Sequence, residues 1–142
     1  MKKIHNILSF FLLLSYFSFA QKIIYVNNAN STANQNGTSW ATAYSNLSTA
    51  LSLAVPNDEI WIAKGSYFAT NDNDRKKSFV LKKGIRLYGG FVGNENNKSQ
   101  RDYLKNISIL DGNIGTKSDS LDNSYNILIC DNTDSTSATT IK

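Results

Sequence analysis

Histidine, cysteine and proline are almost missing from this sequence of 142 residues, at one each. The lone histidine, His5, falls in a leading segment expected to be cleaved. The remaining chain then has no imidazole for a general base, a metal ligand or the activation of a nucleophile. The lone cysteine, Cys130, excludes internal disulfides and thiolate zinc sites, and no cysteine stands near residue 20 for a lipid anchor. Charge is sparse as well, at 18% of residues. The formal charge of +4 shrinks once Lys2 and Lys3 are removed: 15 basic residues become 13 against 11 acidic ones, a net charge near +2. So small a balance gives no footprint for nucleic acid. Neither a cofactor nor a metal is expected. Carboxylate, lysine, arginine or tyrosine chemistry remains open, as does no chemistry at all.

What is present is a 41% apolar content, enough for one packed domain, with abundant Asn, Ser and Thr. Residues 1–20 carry Lys2 and Lys3, then an apolar stretch from Ile7 to Phe19. That stretch is roughly 13 residues long, the length of a signal-peptide core and short of the roughly 20 needed to span a bilayer. Ser18 and Ala20 put small residues where a signal peptidase requires them. The reading is export, a mature start near Gln21, and a place outside the cell or on its outer surface, with no transmembrane span in the mature chain.

Residues 21–58 hold one strand, a polar loop and a helix. Lys22 to Val26 is β-branched and aromatic and ends at Asn27-Asn28. Asn36-Gly37 bends the loop. Leu47, Ala50, Leu51 and Ala54 share one face of a helix placed at about 45–55, capped by Ser45 and ended by Pro56. From residue 59 to 142, short apolar runs alternate with turn residues: Glu59 to Ala63, Ser78 to Leu81, Ile85 to Tyr88, Ile107 to Leu110 and Tyr125 to Cys130. Starts at Ile60, Ile85, Ile107 and Asn126 lie 25, 22 and 19 residues apart. A short strand with a turn-rich connection every 20-odd residues is the mark of a β-solenoid; the competing β-sandwich has strands every 8–12 residues. The helix would close the first coil, whose bare strand edges invite aggregation. Asp134 to Thr140 reads as a loop and Ile141-Lys142 as the opening of another strand. The chain is therefore expected to be truncated in mid-repeat, with further coils of the same protein downstream.

Four stretches, in order, carry a family resemblance: Ile24 to Asn27, Asn36 to Tyr44, Asp58 to Tyr67, and Leu87 to Glu95, with Arg101-Asp102 and Ile109 to Gly112 behind them. Together they resemble the N-terminal region of secreted bacterial β-helix proteins, the pectin-lyase-like kind related to polymorphic outer-membrane proteins. The resemblance implies an all-β fold, a right-handed parallel β-helix with an N-terminal capping α-helix. It fixes fold and address better than activity, since one scaffold hosts lyases, hydrolases, adhesins and inert stalks.

Trp40, Trp61 and Tyr88, with Tyr25 and Tyr67, are candidates for a sugar-stacking platform, although aromatic side chains also serve as packing area. Trp61 stands between Ile60 and Ile62, so alternation sends it to the opposite face, outside or under a loop. Gly89 and Gly90 lack the Lys and Ser/Thr of a phosphate loop and read as a tight turn between stacked strands. Glu95, Arg101 and Asp102 have the residue types of an acid–base set; an ion pair pinning a loop is the plainer reading. Asp111-Gly112 ends a strand as a turn. Asp72-Asn73-Asp74 starts like a calcium loop but lacks the later glycine and glutamate. Cys130, in an apolar run, reads as a small buried hydrophobe. No catalytic constellation emerges. The functional expectation is an exported, non-catalytic module of a surface or secreted protein, adhesin-like or in contact with a polysaccharide or host glycan. The alternatives are the leading part of a polysaccharide lyase or glycoside hydrolase, and a structural stalk.

Overall fold

Period-two alternation in Glu59-Ile60-Trp61-Ile62-Ala63 sends the two isoleucines one way and Glu59, Trp61 and Ala63 the other, yet all five residues are buried. Strands covered on both faces are characteristic of parallel sheets. The computed structural model describes residues 21–116, 118–131 and 140–141. The expected signal peptide, residues 1–20, and most of the Ser/Thr-rich stretch after Asp131 lie outside the described residues.

Among the described residues most of the regular structure is strand, with one α-helix. β1 (Ile23–Val26), β2 (Glu59–Ala63), β5 (Arg86–Phe91) and β8 (Thr140–Ile141) form one sheet in that order. β3 (Gly65–Phe68) pairs with β6 (Ser108–Asp111), and β4 (Phe79–Lys82) with β7 (Leu128–Asp131). Every pair is parallel, unlike the antiparallel sheets of a β-sandwich. Helix α1 (Leu47–Leu53) packs on β1 and β4.

The strands expected near Ile107 and Tyr125 exist, but they are not successive rungs above Ile85. Ile60 pairs with Leu87, whereas Ser108 lies over Gly65 and Leu128 over Phe79. The even 20-odd-residue spacing therefore counted strands of three different sheets as one series. β3 escaped notice because only Lys64 separates it from β2. The chain turns there through Gly65 at φ +142, a backbone conformation that side chains rarely permit.

The main core joins Ile24, Ile60 and Leu87 from the first sheet, Tyr67 from the second, Phe79 and Leu81 from the third, and Leu47 and Leu51 from the helix. α1 is shorter than expected, and its cap is Asn46, whose Oδ1 accepts from the Ser48 and Thr49 amides at 2.7 and 3.3 Å. Ser45 instead bonds Gln35 through both its amide and its hydroxyl. The helix ends at Ala54, already extended, two residues before Pro56; the Lys82 ammonium takes up the Ser52 and Ala54 carbonyls it leaves. The outer edge of β1 is satisfied by residues 37–44: Tyr25 N donates to Gly37 O, and Tyr44 N to Tyr25 O, both at 2.9 Å.

Coverage fails at the other end. Cys130 is exposed, contrary to expectation. It pairs with buried Leu81 and shares its face, but among the described residues no strand pairs with the other edge of β7.

Candidate functional site

The outward face of the first sheet is built by register. Tyr25, Trp61 and Tyr88 are Cα partners across β1, β2 and β5, and beside them run Ile23, Glu59 and Arg86. Past Tyr88 the register slips: Trp61 faces Tyr88, but Ala63 faces Phe91, so β5 contains one extra residue. Gly89-Gly90 is thus a bulge inside a strand and not the expected turn between strands. Gly90 has φ +96, and a Cβ there would meet the Tyr103 backbone nitrogen at 2.9 Å. The inserted residue reverses the alternation. Phe91, otherwise destined for the main core, comes to the outer face.

There it meets the aromatic residues of the sequence reading. Trp61 stacks on Phe91 with centroids 4.7 Å apart and planes within 8°. Trp40, from the 310 turn Trp40–Thr42, lies 5.6 Å from Phe91 and 4.8 Å from Tyr25. The Trp40 indole donates to the Glu95 carbonyl at 2.9 Å. Trp61 and Tyr88 are 3% and 7% exposed, so neither presents an open ring face to solvent. The structure brings Trp40, Trp61 and Tyr88 into one region, as an internal wedge.

Two buried carboxylates hold this wedge. Glu59 accepts from Trp61 Nε1 at 3.0 Å and Lys98 Nζ at 2.7 Å, with Arg86 Nε at 3.7 Å. Burial raises its pKa, but the bonds from Lys98 and Trp61 and the charges of Lys98 and Arg86 outweigh burial and hold it below the ordinary carboxylate value. Glu95 folds back on its own loop and accepts from the amides of Val92, Gly93 and Asn94 at 2.6, 3.0 and 3.0 Å. Burial again raises, and the amides more than reverse it. A general acid needs a carboxyl shifted the other way, toward the working pH. The wedge is chemically a clamp: it fixes residues 92–101 over the sheet.

Tyr88 lies beneath two cations, Lys98 Nζ at 4.4 Å and Arg101 Cζ at 5.3 Å from its centroid, and Arg101 also reaches Tyr103 at 5.9 Å. Asp102 does not act beside Glu95; its carboxylate accepts from the Leu104 and Lys105 amides, both at 3.1 Å, and pairs with Lys105 at 3.3 Å. Asp111 ends β6, and its Oδ1 accepts from the Asn113 amide at 2.9 Å, with Gly112 packed close to Ile127. Asp72 bonds Thr70 and Lys77. Among the described residues no group of three or more His, Cys, Asp or Glu is placed to hold a metal ion.

Sequence reasoning missed Glu59, Lys98 and Phe91. Glu59 was legible, since alternation around Ile60 and Ile62 puts it beside Trp61. Phe91 was not, because one inserted residue changes its side. No family model, curated protein or solved structure shows significant similarity to the chain.

Proposed function

We propose that the chain is an exported, non-catalytic segment of a surface or secreted protein, built as leading coils of a right-handed parallel β-helix and serving as an adhesin-like, carbohydrate-contacting module. The observation that carries this reading is the order of the ladders. β2, β3 and β4 occupy three sheets in turn, and β5, β6 and β7 then pair with them in parallel and in the same order. Stacking of that kind makes stiff, extended scaffolds suited to display. The covered edge of β1 and, among the described residues, the unpaired outer edges of β6 and β7 support a direction for the stack. Export rests on residues 1–20, and the pectin-lyase-like resemblance rests on the four ordered stretches.

A structural stalk is the second reading, favoured by the burial of Trp61 and Tyr88. One preparation tests both. The full chain, expressed in a bacterium with a general secretory pathway, is expected outside the cytoplasm with Gln21 as its first residue. Cytoplasmic protein still starting at Met1 overturns export. Retention on a glycan array supports the adhesin-like reading, and silence across neutral and acidic glycans leaves the stalk.

A further inference from the structure

Phe68 faces outward at the end of β3 and is 38% exposed, while its neighbour Tyr67 is buried. It stands between two hollows of 330 and 420 Å³, both lined by Ser66 and Phe68. Each falls in the range of about 300–1,000 Å³ typical of small-molecule sites. The first adds Asn28, Asn46 and Asn71; the second adds Asp111. We infer that the outward face of β3 and β6 forms one trough that binds a neutral oligosaccharide, with Phe68 as its stacking platform. This rests on the carbohydrate-contacting reading above and moves the contact away from Trp40, Trp61 and Tyr88.

The lining chemistry specifies the ligand. Among the described residues no lysine or arginine borders either hollow, and Asp111 places a carboxylate in the second. Against these described residues a uronate or sulfated glycan would meet one like charge and no counter-charge. Sugar hydroxyls, which donate and accept, match amide and hydroxyl side chains. Several of those groups are positioned but not used up. Asn46 spends its Oδ1 on the start of α1, which fixes the side chain and leaves its amide nitrogen to donate. Asn28 donates to the Ser66 carbonyl at 2.9 Å, and its Oδ1 accepts from no described residue. The Asn71 side chain and the Ser66 hydroxyl likewise make no hydrogen bond to a described residue. The wall is rigid: the Tyr67 hydroxyl donates to the Ala63 carbonyl at 2.8 Å and is held in place. An exposed ring between polar arms is the arrangement in which an apolar sugar face can stack while its hydroxyls are bonded from the sides.

The test is calorimetric titration of the full chain with cellohexaose, mannohexaose and xylohexaose, and with an oligogalacturonate of equal length. At least one neutral hexasaccharide is expected to bind, the oligogalacturonate far more weakly, and Phe68→Ala to weaken binding roughly tenfold. Asn71→Ala, at an exposed bend, is expected to weaken it severalfold and serves where Phe68→Ala fails to fold. Binding that prefers the oligogalacturonate, or that survives both substitutions unchanged, overturns the trough and leaves the broader carbohydrate reading standing. Silence toward all four glycans overturns both.

Discussion

Trp61 Nε1 donates to Glu59 Oε2 at 3.0 Å, linking two residues of one strand across the single inward-facing Ile60. The bond joins an aromatic stack to a buried charge. Glu59 in turn holds Lys98, and Lys98 covers Tyr88, so β2, β5 and the 92–101 loop share one carboxylate.

Acid should therefore loosen the chain. Glu59 and Glu95 both have pKa values below the ordinary 4.5, burial acting to raise them and their hydrogen bonds prevailing. A carboxylate depressed on folding adds stability above its unfolded pKa and loses it as pH falls through the folded one. The expected urea midpoint is flat from pH 7 to pH 5 and drops below about pH 4. Glu59→Gln should lower stability at pH 7 by about 1–3 kcal/mol and flatten the acid drop. A variant with an acid profile as steep as the parent's would remove Glu59 from this role.

The aromatic wedge should carry more stability than its hydrogen bond. Trp61→Phe keeps a ring against Phe91 but loses the indole donor, an expected cost of about 1 kcal/mol. Trp61→Ala empties a buried site and should cost about 3–5 kcal/mol. Urea denaturation followed by circular dichroism separates the two. Equal, small losses would mean that the ring stands in solvent.

Much of this arrangement was readable in advance, and the failures have local causes. Alternation placed Ile60 and Ile62 inward and Trp61 on the opposite face, outside or under a loop, and the face formed by Leu47, Ala50, Leu51 and Ala54 gave the helix. Sheet membership was not readable, because strand spacing does not say which earlier strand a run will meet: Ser108 returns to Gly65, and Leu128 to Phe79. The site was half legible. Trp40, Trp61 and Tyr88 do converge, but whether a ring faces water depends on the loop above it, here held by Lys98 and Glu95. Helix limits slipped because Asn46 and Ser45 are both competent caps, and only tertiary contact with Gln35 decides between them.

The bulge gives a sharper test of local geometry. Gly90→Ala adds a Cβ at φ +96 and 2.9 Å from the Tyr103 nitrogen, so both conformation and space oppose it. An expected loss of about 1–3 kcal/mol should come with a weaker near-ultraviolet tryptophan signal, since Phe91 depends on the bulge to reach Trp61. Gly89→Ala meets only the Ser108 side chain, at 3.0 Å, without a positive φ, and should cost less. Reversal of that order would detach the placement of Phe91 from Gly90.

Cys130 reports on the outer edge of β7. It shares a face with Leu81, which is fully buried, yet it is exposed because no strand among the described residues stacks on β7. In the native full chain its thiol should react with a disulfide reagent such as DTNB as completely as in urea, and nearly as fast. Cys130→Ser should then change stability by no more than about 0.5 kcal/mol, as for other exposed positions. A thiol silent until the chain unfolds would mean that β7 is covered in solution. Dilution would then identify the cover: reactivity that rises as the protein is diluted points to a second copy on β7, and reactivity that stays low points to the chain itself.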